Sequence, residues 1–174
     1  MMDGGATWLD RRSAAPLAWT QAPMRPHDAA PAGKRPPMPD HREDAQPLVI
    51  DEKDAPEDGW DDPVRGRLRF RTLFSQGLTP TAGLTCGVTD LGPGDWLGLH
   101  RHAPAEIYYV FAGAGIVSLD GRDIPVSAGS AVFIPGMAEH GIRQTGNEVL
   151  RLFYAFPVDS FDSVEYLFSA APRG

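Results

Sequence analysis

The chain has 174 residues, a formal net charge of −7 and a hydrophobic content of 42%, which is ordinary for a soluble globular protein. A chain of this length accommodates one domain with a sizeable core. It contains no apolar run near the roughly 18 residues that a transmembrane helix needs, so no membrane partner is predicted. It has no basic stripe, which argues against nucleic acid as a partner.

Cysteine usage and the N-terminal sequence both bear on location. The single cysteine, Cys86, excludes an internal disulfide, and its apolar surroundings predict a small buried side chain. Arg11 and Arg12 are followed by a short segment that Pro16 interrupts, so a twin-arginine export signal is not predicted. Together these features predict a cytoplasmic protein.

Residues 1–47 are predicted to be a Pro- and Ala-rich extension. Eight prolines favour neither a long helix nor a central strand, because proline removes backbone donors and restricts its neighbours. Trp8 and Trp19 leave two alternatives open, a disordered tail and an arm that docks on a surface. Residues 48–63 are predicted to comprise a short strand at 48–50 and a solvated acidic linker, since seven acidic residues accompany Lys53 between 51 and 62.

From residue 64 to residue 170 the sequence predicts a single all-β domain. Apolar and polar residues alternate, as in 67–71, and such segments recur between glycines and prolines. Asp120 and Gly121 are a strong signal for a hairpin turn. Many short strands at close spacing predict a β-sandwich or barrel. The further predicted strands are 84–91, 96–102, 106–113, 116–119, 123–126, 130–135, 140–144, 149–157 and 164–169.

Three histidines and one carboxylate form the candidate metal site: His100, His102, Glu106 and His140. Side chains alternate faces along a strand, so His100 and His102 should point the same way and Glu106 should share a face with Tyr108. Three imidazoles and a carboxylate bind a divalent transition metal and leave one or two coordination positions open, which suits Fe(II), Mn(II), Ni(II) or Zn(II). A closed structural zinc site would need several thiolates, which one cysteine cannot supply.

The spacing of these residues resembles the cupin superfamily. The first cupin motif, G-x5-HxH-x3,4-E-x6-G, is matched at every fixed position from Gly94 to Gly113. The resemblance covers about residues 80–157. It implies a double-stranded β-helix, that is, a jelly-roll barrel, in which the four residues bind one metal ion.

The second cupin motif, G-x5-PxG-x2-H-x3-N, is matched in part. Gly129, Pro135 and His140 occupy its fixed positions. Met137 replaces the usual glycine and Gln144 replaces the usual asparagine. An amide side chain is kept at the second of these positions, so its hydrogen-bonding capacity is preserved.

The four ligands together with Tyr108 resemble those of the cupin-type dimethylsulfoniopropionate (DMSP) lyases. The resemblance implies that the metal, with Fe(II) or Mn(II) favoured, holds the substrate carboxylate while Tyr108 removes the α-proton. Elimination then releases dimethyl sulfide and leaves acrylate. Aromatic side chains suit a sulfonium cation. The candidate substrate contacts are Trp96, Tyr154, Phe156 and Gln144.

Other interpretations remain open at this stage. Tyr108 and the other aromatic residues are also typical of a strand that packs into a core. An Fe(II)-dependent cupin dioxygenase would use the same four ligands, and a small-molecule-binding cupin without activity would need no base. Fold analogy also predicts a homodimer that pairs through edge strands or through an exchanged segment such as 48–50.

Overall fold

Short alternating segments form strands throughout residues 47–169, the part of the chain that the computed structural model describes. The Pro- and Ala-rich extension and its two alternatives fall outside these residues. The strands are β1 (Asp58–Asp62), β2 (Gly66–Phe74), β3 (Thr85–Leu91), β4 (Trp96–Arg101), β5 (Glu106–Ala112), β6 (Ala114–Leu119), β7 (Arg122–Ser127), β8 (Ala131–Ile134), β9 (His140–Gln144), β10 (Leu150–Phe156) and β11 (Leu167–Phe168).

The strands form one curled antiparallel sheet. Its order is β7-β6-β9-β4-β2-β3-β10-β5-β8, with β1 added to β2 and β11 added to β4. The connection between β4 and β5 is only four residues long although the two strands are far apart in this order. The sheet therefore curls strongly into a half-barrel, and the all-β jelly-roll architecture predicted from the sequence is confirmed.

The interior of the curled sheet is filled by every second side chain of its strands. In β10 the buried residues are Leu150, Leu152, Tyr154 and Phe156, and their neighbours in sequence are half-buried. Each fully buried side chain of this size contributes roughly 1.5–3 kcal/mol by leaving water. Cys86 is buried and free, as predicted. No helix among residues 47–169 is long and apolar enough to span a membrane.

The hairpin between β6 and β7 confirms the turn predicted at Asp120 and Gly121. Leu119 pairs with Arg122, so the loop has only these two residues. Both have positive φ angles, 46° and 74°. This is the backbone that a two-residue hairpin of matching twist requires, and Asp-Gly tolerates it well.

The short strand expected at 48–50 is not formed. Residues 47–50 have no strand pairing, and Val49 is 93% exposed. Pro47 supplies no backbone donor for strand pairing. The apolar side chains that stay exposed in this stretch gain no free energy from burial.

The acidic stretch at 51–62 is not a free linker. Glu52–Asp54 form a 3₁₀ turn, and β1 pairs along its whole length with β2. Arginines of the barrel offset the acidic charge: Arg71 binds the Ala55 carbonyl and Glu57, and Arg151 binds Glu52. The stretch is therefore part of the barrel wall.

Candidate metal centre

The four candidate ligands converge at one end of the barrel. His100 lies near the end of β4, His102 follows that strand, Glu106 begins β5 and His140 begins β9. Their nearest ligand atoms all lie within 4.8 Å of one another, and each side chain is at most 3% exposed.

A bulge in β4 sets the direction of His100. Leu97 pairs with Ile142 and His100 pairs with His140, so β4 carries one extra residue between these pairs. In a regular strand, residues three positions apart face opposite sides. The extra residue compensates for this, so both Leu97 and His100 face inward. Gly98 permits this path, because a Cβ atom there would lie 2.0 Å from the Val64 carbonyl oxygen.

Each imidazole is oriented by a backbone carbonyl group. The Nδ1 atoms of His100, His102 and His140 lie 2.9, 2.9 and 3.0 Å from the carbonyl oxygens of residues 98, 104 and 138. Nδ1–H donates in each case, so the Nε2 atom of a neutral ring carries no proton. All three Nε2 lone pairs are then free to bind a metal ion.

The charge distribution at the site fits a bound cation. Nε2 of His102 and Nε2 of His140 lie 3.2 and 3.1 Å from Oε2 of Glu106, and Nε2 of His100 has no hydrogen-bond partner. A nitrogen and a carboxylate oxygen at this distance need a positive charge between them, which either a proton or a metal ion supplies. Two ligand atoms about 2.1 Å from one metal ion are separated by roughly 3 Å, which matches these spacings. The four residues therefore fit a divalent metal ion.

Burial and charge shift the ionisation of the cluster in opposite directions. Burial and the neighbouring His140 lower the pKa of His100 to about 3, so its ring is neutral. Burial alone would raise the pKa of Glu106, but contacts with His102 and His140 bring the pKa below its usual value. His100 and Glu106 therefore have the protonation states that metal binding requires.

A narrow cavity adjoins the ligands. Its empty volume is about 430 Å³. It accepts only a small molecule. The lining combines Glu106 with three tyrosines, three other aromatic residues and aliphatic side chains: Tyr108, Tyr154, Tyr166, Trp60, Phe70, Phe161, Leu68, Leu91, Leu97, Ile142, Leu152 and Thr89.

Tyr108 is the polar group of this cavity that lacks a partner. Its side chain is 2% exposed, and its hydroxyl group makes no hydrogen bond. Burial and the charge of Glu106 raise the pKa of Tyr108 well above its usual value. A buried hydroxyl group without a partner is costly to a fold, so its presence in the cavity points to a role with a ligand.

The predicted substrate contacts divide into two pairs. Tyr154 lines the cavity, although its hydroxyl group is 2.9 Å from Oγ1 of Thr72, and Phe156 packs edge-on against His102 at a centroid distance of 5.1 Å. Trp96 does not line the cavity, because the bulge leaves it on the outer side of β4, where Arg67 lies over its ring.

Gln144 also lies away from the cavity, at the opposite end of β9 from His140. Its amide oxygen accepts from the Gly94 N–H group at 3.0 Å. Its amide nitrogen donates to the carbonyl groups of Gly146 and Glu148 at 3.2 and 2.6 Å. The side chain joins the loop before β4 to the loop between β9 and β10.

Four aromatic residues of the cavity were not among the predicted contacts: Trp60, Phe70, Phe161 and Tyr166. Tyr166 stacks on His100 at 4.8 Å between ring centroids. Trp60 is the one large apolar residue among the acidic residues of Asp58–Asp62, which was a signal that its side chain packs against the barrel. The other three depend on long-range packing.

Comparisons with known proteins agree with the fold and the site. A family model described as a cupin domain matches residues 87–156. The chain is 41% identical over 125 residues to dimethylsulfoniopropionate lyase DddW of Ruegeria pomeroyi, covering 72% of this chain and 82% of that protein. It is 41% identical over 84 residues to an oxalate-binding protein of Thermotoga maritima, covering 48% of this chain and 69% of that protein.

Solved structures give the same fold. A predicted oxalate decarboxylase of Thermotoga maritima has a TM-score of 0.57 at 26% identity, covering 64% of this chain and 99% of that one. The polyketide cyclase RemF of Streptomyces resistomycificus has a TM-score of 0.62 at 18% identity, covering 74% and 89%, and bears on the fold alone. The chain belongs to the cupin superfamily. Within it, the similarity to the lyase extends over most of that relative's length.

Proposed function

We propose that the protein is a metal-dependent lyase that cleaves DMSP to dimethyl sulfide and acrylate. The observation that carries the proposal is the buried, unpartnered hydroxyl group of Tyr108 in the cavity that Glu106 also lines. The identity of 41% to a DMSP lyase over most of the relative supports the same reaction. The small size of the cavity suits a substrate with few atoms.

The ligands His100, His102, Glu106 and His140 would hold one divalent ion, with Fe(II) or Mn(II) favoured and Ni(II) or Zn(II) as alternatives. When bound, this ion supplies positive charge that opposes the effect of Glu106 on Tyr108 and draws electrons from the substrate carboxylate. The carbonyl groups behind the three imidazoles keep the rings fixed during turnover.

The protein's own residues then account for the elimination. The Tyr108 oxygen removes a proton from the carbon next to the carboxylate, and the freed electron pair forms the carbon–carbon double bond. The bond from the neighbouring carbon to sulfur breaks at the same time. Dimethyl sulfide leaves with the electron pair of this carbon–sulfur bond. The aromatic walls exclude water from the reacting carbons, and Tyr108 returns its proton to solvent.

Release of dimethyl sulfide under nitrogen tests the proposal. Metal-loaded protein should release it from DMSP, and Tyr108→Phe should reduce the rate at least about 100-fold because the base is removed. The metal content should stay unchanged. Tyr109→Phe is the matched control, since this neighbouring tyrosine is 42% exposed on the other face of β5 and should keep full activity. No release from wild-type protein loaded with any of the four metals would contradict the reaction.

A second candidate is a cupin that binds a small carboxylate without turnover. The identity of 41% to an oxalate-binding protein over 84 residues favours it among the alternatives. An Fe(II) dioxygenase is the third. Oxygen uptake identifies the dioxygenase, while carboxylate binding without any product identifies the binding protein.

We also propose a homodimer in the cytoplasm. Large apolar side chains are exposed together on the outer face of β5 and β8: Ile107, Tyr109, Phe111 and Phe133. A chain with a net charge of −7 self-associates most readily through a face without charges. Size-exclusion chromatography with light scattering gives the mass of the assembly.

A further inference from the structure

A surface groove adjoins the cavity. Its empty volume is about 1160 Å³, compared with about 430 Å³ for the cavity. Trp60, Phe70 and Phe161 line both spaces. Phe70 contacts both other rings, with centroid distances of 5.8 Å to Trp60 and 5.7 Å to Phe161. The rings therefore form the wall between the groove and the cavity.

The ionisable side chains that line the groove are all acidic: Glu57, Asp58 and Asp162. Glu57 is paired with Arg71 at 2.9 Å, so its charge is offset. Asp58 and Asp162 are exposed and form no salt bridge within the described part of the chain. Two acidic charges therefore remain at the outer side of the aromatic wall.

The positive groups near the wall do not enter the groove. Arg65 lies over the ring of Trp60 at 5.9 Å but does not line the groove. On the inner side, the unpartnered hydroxyl group of Tyr108 is 2% exposed and lies in the cavity. The cavity thus offers a polar group to a ligand, and the groove beside it carries only negative charge.

We propose that Asp58 and Asp162 determine specificity by orienting onium carboxylates, with the cation toward the groove and the carboxylate toward His100, His102, Glu106 and His140. The sulfonium or ammonium end gains from the two acidic charges and from the π faces of Trp60 and Phe161. A carboxylate that lacks the cationic group has a net negative charge, so the two acidic charges repel it. The inference rests on the proposed function, whose substrate it describes more closely.

Two matched ligand pairs test the inference on metal-loaded, full-length protein. DMSP is compared with 4-methylpentanoate, in which carbon replaces the sulfonium sulfur. Trimethylglycine is compared with 3,3-dimethylbutanoate, and neither of these can eliminate. Steady-state kinetics measure KM and kcat for DMSP and the inhibition constant of 4-methylpentanoate. Calorimetry measures the dissociation constants of the second pair.

The variant D58N/D162N should raise KM for DMSP about fivefold, leave kcat within about twofold and weaken inhibition by 4-methylpentanoate little or not at all. Wild-type protein should bind the cationic compound of each pair more tightly, and this preference should fall as salt is added. The smaller preference of D58N/D162N should not depend on salt. The control variant is D61N/E148Q, which removes the same charge. Asp61 lies on the other face of β1, and neither residue lines the groove.

An equal effect of D58N/D162N on both members of each pair would overturn the inference. A control variant that lowers the preference as much as D58N/D162N would also overturn it, since the charge of the whole protein would then be responsible. The calorimetric pair needs no turnover. Loss of the preference for trimethylglycine in D58N/D162N would support the inference even if wild-type protein released no dimethyl sulfide, the result that contradicts the proposed function alone.

Discussion

The two ends of the paired strands β4 and β9 have opposite chemistry. At one end, His100 and the nearby Tyr108 keep buried polar atoms without partners. At the other end, Gln144 binds three backbone groups and Arg67 is paired with Asp95. A fold gains stability by satisfying its buried polar groups, so the unsatisfied end is the one arranged for a ligand and the satisfied end is the one that supports the barrel.

Replacing a residue of the unsatisfied end should produce the largest effect on metal binding. We expect His100→Ala to lower metal affinity at least about 100-fold, because changes merely behind a metal ligand already cost 10- to 100-fold. Metal analysis after dialysis measures this. Leu99→Ala is the control, since this neighbouring side chain is 39% exposed. An unchanged metal content in His100→Ala would remove the distinction between the two ends.

Replacing Gln144 should affect stability and leave the metal site intact. Gln144→Ala leaves the Gly94 N–H group and two carbonyl groups unpaired, so we expect a loss of about 2 kcal/mol in the free energy of unfolding. Urea unfolding measures it. Gln144→Asn, which restores the residue usual in cupins, should lose less. A fall in metal content without a loss of stability would assign Gln144 to the ligand end.

The smallest expected effect concerns Met137, in the loop before His140. Its φ angle is 64°, a left-handed conformation that costs a side chain roughly 1–2 kcal/mol. Met137→Gly should therefore raise the free energy of unfolding by less than about 1 kcal/mol, because glycine loses part of the gain as chain entropy. Met137→Ala keeps the strain and is the control. A variant with glycine that is less stable than the variant with alanine would show that the loop gains from the methionine side chain.

The sequence predicts the ligand end better than the walls of its cavity. The four ligands follow from motif spacing, and Glu106 and Tyr108 share the buried face of β5 as strand alternation predicts. Trp96 is misplaced by the same rule, because the extra residue in β4 reverses the alternation between Trp96 and His100. A bulge of this kind depends on the partner strand, which single-strand periodicity does not contain.

The acidic stretch shows a second reason for incomplete prediction. Its composition is typical of a solvated linker, but Glu57 is paired with Arg71 and Glu52 with Arg151, which lie 14 and 99 residues further along the chain. Tyr166 likewise reaches the cluster because β11 pairs with β4, with Phe168 opposite His100. Charge pairing and strand pairing over such separations arise only in the folded chain, so composition and local pattern do not report them.

The bulge in β4 makes the direction of His100 depend on how β4 pairs with β9 as well as on the residues of β4. If the same residues paired without the bulge, the odd separation of Leu97 and His100 would turn His100 to the outside of the barrel while Leu97 stayed inside. Deleting one residue between them would instead give an even separation and keep His100 inside, opposite His140. In descendants of this gene, a three-nucleotide deletion at this point would therefore remove the bulge and preserve the candidate ligand set.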